Sequence, residues 1–341
     1  MEIRRLDPAS EAQWDDFVFA HPDATFFHRA AWSRVIESAF RRKCHFLYAL
    51  ADGEVQGVLP LVHIKSLLFG NALISTGFYV YGGPLAVSAD AHAALDEAAW
   101  DLARELGARS LEYRNQTRLR PDWPCKAEQY ATFKRPIDAD PEVNMKAIPR
   151  KQRAMVRKGI KLELQAEIER SPERFFTLYS ESVRNLGSPV FPRRLYGTLL
   201  SEFGDDCDVL TVTHEGNAVA SVLSFYFRDE VLPYYGGGGA DARRLAAHDF
   251  MYWSLMEHAR ARGYTTFDFG RSKVGTGSYS FKKNWGFEPT PLFYEFRLAP
   301  GAEMPDINPL NPKYRMMVAV WRRLPLAVAN WLGPKVSRNL G

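Results

Sequence analysis

The chain has 341 residues, with 44 lysines and arginines against 40 aspartates and glutamates, which leaves a formal net charge of only +4. This balance argues against a protein that coats nucleic acid, although it permits a local basic patch. The cysteines at positions 44, 125 and 207 are too few and too far apart for a disulfide framework or a CxxC zinc site, which favours a reducing cytoplasm.

The length predicts two domains, each with enough apolar residues for a core. The N-terminus has no apolar core of signal-peptide type, and no stretch of about 18 uninterrupted apolar residues occurs. We therefore expect a cytoplasmic protein that is soluble or peripheral to a membrane. The histidines show no HExxH or HxxH spacing, so we expect no metal site and no permanently bound cofactor.

The first half predicts a strand, two helices, a β-hairpin, further strand material, a helix and a final strand. Asp52 and Gly53 are a strong turn signal between the two strands of the hairpin. Gly107 closes an alanine-rich helix in the way that glycine ends many helices. The predicted elements are a strand at 1–6, helices at 10–20 and 29–40, the hairpin at 46–51 and 55–64, further strand material at 73–76 and 78–81, a helix at 91–106 and a strand at 110–114.

The second half repeats this plan. A hairpin at 209–214 and 218–228 is followed by a strand at 231–235, the four glycines 236–239, a helix at 248–262 and another strand. At a constant offset of 156, Gly107 aligns with Gly263 and Glu112 with Asp268. We therefore predict a duplicated α/β unit: domains at 1–145 and 146–300, a basic connecting helix at 146–161, and a C-terminal tail at 301–341.

The stretch 264–287 begins as a strand and continues as a polar, glycine-rich segment. Arg271, Lys273, Lys282 and Lys283 bring four positive charges close behind the single carboxylate of Asp268. This arrangement predicts a site for an anionic or carbonyl substrate. The alternative is a glycine-rich surface loop with solvated lysines.

The order of elements is similar to that of N-acyltransferases of the GNAT type. That resemblance implies mixed, mainly antiparallel sheets flanked by helices, with splayed strands and a helix N-terminus that receive an acyl donor. The matching loop is 236–247, where Ala246 and Ala247 stand in place of the glycines of the Gln/Arg-x-x-Gly-x-Gly/Ala pattern. This departure argues against standard coenzyme A binding.

Across nearly its whole length the chain resembles the FemAB family of peptidoglycan-bridge aminoacyltransferases, which have two GNAT-like domains. The resemblance rests on the duplication, the basic connecting helix and the segment Ser-Tyr-Ser-Phe-Lys-Lys-Asn-Trp-Gly-Phe at 278–287. Segments 184–192, 267–286 and 321–326 are most similar to FemAB-like proteins of exosortase and PEP-CTERM exopolysaccharide systems. The family's Phe-Lys pair, in its last strand region, corresponds to Phe281 and Lys282.

The resemblance implies acyl transfer from aminoacyl-tRNA or an acyl-CoA to an envelope or saccharide precursor. Lys282 could stabilise the oxyanion, and Asp268 or Tyr279 could accept a proton. The alternatives are a surface role for Lys282 and a structural pair of Asp268 with Arg271. The predicted substrate-binding residues are Arg271, Ser272, Lys273, Tyr235, Gly236, Gly237, Asn185, Arg153 and Arg157.

Two further segments are strongly basic. Residues 146–161 hold seven cations and no acid, as expected of a face for tRNA phosphates, an anionic saccharide precursor or a membrane, or of a solvated connector. The tail from Pro312 alternates cations with apolar residues and is broken by Pro325. It predicts an interfacial membrane anchor or, alternatively, a segment packed against the first domain.

The leading hypothesis is a FemAB-like N-acyltransferase that acts near the inner membrane face. An acetyl-CoA-dependent sugar or amine acetyltransferase is one alternative. A non-catalytic binding or scaffold protein of polysaccharide export is the other.

Overall fold

The computed structural model describes residues 1–66, 70–305 and 312–340. The chain forms two compact units. The first comprises Met1–Gln129, Pro291–Asn308 and Lys335–Gly341, and the second comprises Tyr130–Thr290 and Pro309–Pro334.

The described strands of the first unit form one mixed sheet in the order β1-β2-β3-β4-β6-β16-β7, with β5 beside β3. Helix α3 packs on this sheet and buries Leu95 and Ala99 against Leu61 and Leu111. The elements are α1 (Glu11–Ala20), α2 (Trp32–Phe40), α3 (Ala89–Glu105), β1 (Glu2–Arg5), β2 (Cys44–Ala51), β3 (Glu54–Ser66), β4 (Gly70–Ser75), β5 (Leu85–Ala86), β6 (Ser110–Asn115), β7 (Cys125–Lys126) and β16 (Phe293–Leu298).

The second unit contains another mixed sheet, whose strands follow the order β14-β8-β13-β12-β11-β10-β9. Its elements are α4 (Pro141–Ala147), α5 (Arg150–Lys161), α6 (Glu173–Leu186), α7 (Arg193–Phe203), α8 (Ala247–Ala261), α9 (Gly277–Asn284), β8 (Tyr130–Pro136), β9 (Gln165–Glu169), β10 (Cys207–His214), β11 (Asn217–Phe227), β12 (Glu230–Gly238), β13 (Thr266–Asp268), β14 (Ser272–Lys273) and β15 (Pro289–Pro291). Two tail helices follow, α10 (Pro312–Trp321) and α11 (Leu326–Ser337).

The duplicated plan is confirmed. In each unit a hairpin leads to a strand, a helix and a final strand that pairs in parallel with the strand before the helix: β4 with β6, and β12 with β13. Both hairpin turns have two residues with positive φ, Asp52 with Gly53 and Glu215 with Gly216, as type I′ turns require. The fold is therefore a pair of GNAT-like α/β units, as the element order predicts.

The boundaries of the units differ from the predicted division at residue 145. Strand β8 pairs antiparallel with β13 in the second unit, with Asp268 opposite Lys134. Strand β16 returns to the first unit and pairs with β6 and β7. The predicted connecting helix is two helices, because Pro149 lacks the N–H that a continuous helix would need. Which sheet a strand joins depends on pairing between distant segments, which local patterns do not encode.

The four glycines after Tyr235 are close-packing positions and not a flexible turn. Gly236, Gly237 and Gly238 belong to β12. A Cβ added at Gly237 would lie 2.7 Å from the Cα of Tyr179 on α6, and one added at Gly236 would lie 2.9 Å from the Tyr252 hydroxyl oxygen on α8. Helices thus approach β12 closely from both faces.

Pro325 separates the two tail helices, as predicted. Helix α10 and the first part of α11 pack within the second unit. Arg322 Nη2 donates to the Leu186 carbonyl oxygen at 3.3 Å, and Asn330 Nδ2 donates to Ser180 Oγ at 3.2 Å. Among the described residues, the helices are all too short or too polar to cross a membrane.

Replacing Gly237 with alanine should lower the free energy of unfolding by about 1–3 kcal/mol, because the added methyl meets backbone that cannot move aside cheaply. Gly197→Ala is the matched control, since nothing lies within 4 Å of a Cβ on this α7 residue. That variant should be stabilised by roughly 0.5–1 kcal/mol. Chemical denaturation measures both, and equal effects would contradict the close packing.

Candidate active site

Strands β12 and β13 part soon after they meet. Their parallel pairing covers only Glu230 opposite Thr266 and Val231 opposite Phe267. Strand β12 continues to Gly238, whereas β13 ends at Asp268. The register between β11 and β12 also shifts at Tyr234, which leaves one extra residue in β12 and bends it. The result is an opening beside the end of β13.

Helix α9 places Lys282 on the turn that ends β13. Thr276 caps the helix and accepts from the Tyr279 N–H at 3.4 Å. Lys282 Nζ donates to the Gly270 carbonyl oxygen at 2.8 Å and to that of Arg271 at 3.2 Å. The Phe-Lys pair thus lies on a helix, which corrects its predicted place in a strand region. Residues 278–282 alternate polar and aromatic side chains as a strand would, but the Thr276 cap starts a helix there.

The ammonium of Lys282 sits in apolar surroundings, with the rings of Phe133 and Phe269 at 5.5 and 6.0 Å from Nζ. Burial lowers the pKa of Lys282 to about 7, an effect that Arg271 reinforces and the Asp268 carboxylate opposes. Near neutral pH the side chain therefore exists in both charged and neutral forms. This property is typical of lysines in functional sites.

Asp268 is buried at the base of the same turn. Its Oδ1 accepts from Thr132 Oγ1 at 3.0 Å and from the Gly270 N–H at 2.7 Å. Lys134 Nζ lies 3.6 Å from Oδ2. The guanidinium of Arg271 lies 4.6 Å over the Tyr130 ring. Asp268 therefore holds the turn whose carbonyl groups receive Lys282.

The other predicted residues of this stretch surround the turn. The Tyr279 ring packs edge-on against Phe133 at 5.2 Å, and Phe281 lies 5.6 Å from Tyr252. Ser272 is buried, and its hydroxyl has no hydrogen-bond partner among the described residues. The Lys273 carbonyl accepts from Thr276 Oγ1 at 2.7 Å. The structure thus brings together Asp268, Arg271, Ser272, Lys273, Tyr279, Phe281 and Lys282.

Three predicted substrate-binding residues lie on the other face of the sheet. The ring of Tyr235 packs against Tyr179 and Tyr196 at 5.6 and 5.5 Å, as part of an aromatic core under α6. Gly237 faces the same helix, and Asn185 is exposed at its end. Gly236 faces α8 and so lies on the Lys282 side. Successive residues of a strand face opposite sides of the sheet, so Tyr235 and Gly237 face α6 whereas Gly236 faces α8.

Sequence reasoning missed two residues of α8. Asp249 Oδ1 accepts from Trp285 Nε1 at 2.9 Å, which ties the start of α8 to the end of α9. Tyr252 packs on Phe269 at 4.8 Å, and burial raises its pKa to about 12. The two are three residues apart on one face of α8, and both contact Trp285, which no local sequence pattern indicates.

Two features at the start of α8 disfavour binding of an acyl-CoA pyrophosphate there. The Ala247 N–H donates to the Ala242 carbonyl oxygen at 2.8 Å, so this N–H is not available to a phosphate. A carboxylate in the first turn competes with phosphate for the helix dipole.

Helix α5 carries a basic face beside α8. A Cβ added at Gly159 would lie 2.7 Å from Phe250 Cβ, so the two helices cross in close contact. The face lines an open groove of about 600 Å³. Within the second unit these cations have no acid at ion-pair distance among the described residues. The residues of the groove are Arg150, Arg153, Ala154, Arg157, Lys158 and Lys161.

The corresponding position in the first unit is closed. Strands β4 and β6 stay paired as far as Ile74 opposite Glu112. Glu112, which aligns with Asp268, is in a buried ion pair with Arg114 Nε at 2.8 Å. Arg114 also donates to the Tyr79 carbonyl oxygen at 2.7 Å. Among the described residues, only the second unit has both the opening and a lysine beside it.

The partly buried ammonium of Lys282 predicts a pH-dependent stability. Because the pKa of Lys282 is about 7 in the folded chain against 10.5 for an ordinary lysine, the unfolded chain binds more protons between these values. The free energy of unfolding should therefore rise across this window by at most about 1 kcal/mol per pH unit. Lys282→Met should lose this rise, so its stability relative to the wild type should fall from about pH 7 to about pH 10.

Chemical denaturation at several pH values measures this difference. Lys283→Met, a change at the exposed neighbour, is the control and should keep the wild-type slope. Identical slopes for all three proteins would contradict the burial of the Lys282 charge.

Comparisons with known proteins agree with this architecture. Residues 144–283 match the sequence profile described as "Acetyltransferase (GNAT) domain". No curated protein matches the chain in sequence. Among solved structures, FemX is similar at 17% identity and a TM-score of 0.67, over 86% of this chain and 97% of that one.

Two other solved structures share the fold. L-PGS from Bacillus licheniformis has 13% identity and a TM-score of 0.57, over 94% of this chain and 97% of that one. A tandem GNAT protein from the clavulanic acid biosynthesis pathway has 13% identity and a TM-score of 0.55, over 89% of this chain and 99% of that one. The chain therefore carries a GNAT acetyltransferase domain over residues 144–283, within a two-sheet fold that it shares with FemX and the tandem GNAT protein.

Proposed function

We propose that this protein is an N-acyltransferase of FemAB type, with its catalytic centre at the opening between β12 and β13. The observation that carries the proposal is the position of Lys282, which is held over the turn at the end of β13 by two backbone carbonyls. The similarity in fold to FemX supports it, as does the resemblance of segment 278–287 to FemAB enzymes.

The reaction is attack by an acceptor amine on the carbonyl carbon of an activated acyl ester. The new C–N bond forms, the C–O bond to the donor breaks, and the amine proton passes to the departing oxygen. Lys282, in its ammonium form, stabilises the oxyanion of the intermediate. We assign the proton relay to the hydroxyl of Tyr279, which lies one helical turn before Lys282.

Asp268 supports this chemistry through its effect on Lys282. Its carboxylate favours the charged form of Lys282, although burial opposes that form. Since its Oδ1 already accepts two hydrogen bonds, it acts as a positioning residue and not as the proton acceptor. Phe281 and Tyr252 exclude water from the reacting atoms.

The donor that fits best is aminoacyl-tRNA. The start of α8 is occupied by Asp249, which disfavours a coenzyme A pyrophosphate. The basic face of α5, in contrast, offers Arg150, Arg153 and Arg157 to a phosphate backbone. An acetyl-CoA-dependent acetyltransferase is the second candidate, because the matched profile is that of an acetyltransferase domain.

The acceptor is an amine of a cell-envelope or exopolysaccharide precursor, and the reaction takes place in the cytoplasm at the inner membrane face. The resemblance of segments 184–192 and 321–326 supports a precursor of an exosortase or PEP-CTERM system.

Lys282→Ala should lower kcat by about 100-fold, as expected when one preorganised oxyanion donor is removed, while donor affinity is retained. Lys283→Ala is the matched control, because it removes the exposed neighbouring lysine, and it should behave as the wild type. Transfer of the labelled acyl group to the acceptor and equilibrium donor binding are the two measurements. Unchanged transfer by Lys282→Ala would overturn the catalytic role and favour a non-catalytic scaffold.

The double variant Arg153→Ala/Arg157→Ala should weaken aminoacyl-tRNA binding by at least about 10-fold. It should also reduce the slope of log affinity against log salt by about 1 for each phosphate that the variant no longer binds. Lys151→Ala is the control, because Lys151 lies on the same helix outside the groove. Parallel titration with acetyl-CoA separates the donors: tight acetyl-CoA binding and no tRNA binding would overturn this choice of donor.

A further inference from the structure

The two tail helices each expose an apolar face. On α10 the side chains of Met316, Met317 and Val320 are 74%, 51% and 56% exposed. These positions lie within one side of a helix, since they are separated by one, three and four residues. On α11 the exposed apolar side chains are Val328 and Trp331, which are three residues apart.

The opposite sides of both helices are packed. Val318 of α10 lies against Gly187, where an added Cβ would be 2.5 Å from its Cγ1. On α11, Ala329 is buried, and Gly333 contacts Val190. The helices are thus fixed to the α6 side of the second unit by their small or buried residues. Their larger apolar side chains point outward into solvent.

The charge of the segment is entirely of one sign. From Pro312 to Gly341 the sequence has six cations and no aspartate or glutamate. Arg323 is exposed in the turn between the helices, directly after the apolar face of α10. An exposed apolar face beside cations matches the chemistry of a bilayer surface with anionic headgroups. A tryptophan is also a side chain that favours the interfacial depth.

We propose that α10, the turn after it and the start of α11 form a docking surface for an anionic membrane. Met316, Met317, Val320 and Trp331 enter the headgroup region, and Arg323 contacts lipid phosphates. Docking on a membrane is separate from acyl transfer, because it uses none of the residues assigned to the catalytic centre. If the proposed function holds, docking would raise the concentration of the enzyme near lipid-linked acceptors.

Sedimentation of the full chain with vesicles tests the surface, without any acyl donor or acceptor. Vesicles of phosphatidylcholine with phosphatidylglycerol should bind the protein at least about 10-fold more tightly than vesicles of phosphatidylcholine alone, and added salt should weaken binding. Met316→Ser/Val320→Ser and Trp331→Ser should each reduce binding by about 10-fold. Arg323→Glu should reduce it by about 5-fold or more.

Val87→Ser is the matched control, since Val87 is 60% exposed in the first unit, and it should bind as the wild type. The proposal is overturned if the wild type binds neither kind of vesicle or if the tail variants bind undiminished. It is also overturned if light scattering shows a dimer that Met316→Ser/Val320→Ser abolishes, because the face would then contact a second copy of the chain. Loss of vesicle binding with acyl transfer to a water-soluble acceptor intact separates this surface from the catalytic centre.

Discussion

The candidate site depends on the short length of β13. A three-residue strand pairs with β12 over two residues and then ends, while its neighbour continues. The backbone after Asp268 must therefore turn away, and its carbonyl groups become acceptors with no partner in the sheet. Lys282 supplies the donor. The hydrogen bonds that complete a strand end are thus the same ones that fix the side chain proposed for catalysis.

The second unit has two kinds of positive charge, which have different proposed roles. Lys282 is enclosed by aromatic rings, so its charge is poorly hydrated and its pKa is low. The arginines of α5 are solvated and line an open groove. A poorly hydrated cation interacts strongly with charge that develops close to it, whereas solvated cations attract a polyanion over a distance and in a salt-dependent way. The proposed reaction needs both.

Much of the fold could be predicted because its signals are local. The turns at Asp52-Gly53 and Glu215-Gly216, the helices ended by Gly107 and Gly263, and the repeat itself all follow from short patterns. The exchange of β8 and β16 between the units could not be predicted, because it rests on pairing across more than 100 residues. The cluster around Asp268 and Lys282 was found because its members are close in sequence. Asp249 and Tyr252 were missed since only tertiary packing brings α8 to α9.

The return of β16 to the first unit also determines the order in which the sheets can be completed during synthesis. Strand β16 lies between β6 and β7, so the described sheet of the first unit has a gap until residue 298 has been made. By then every strand from β8 to β14 already exists. The second unit can therefore complete that part of its sheet on the ribosome before β16 joins β6 to β7 in the first unit. This order is the reverse of the usual N-terminal-first order.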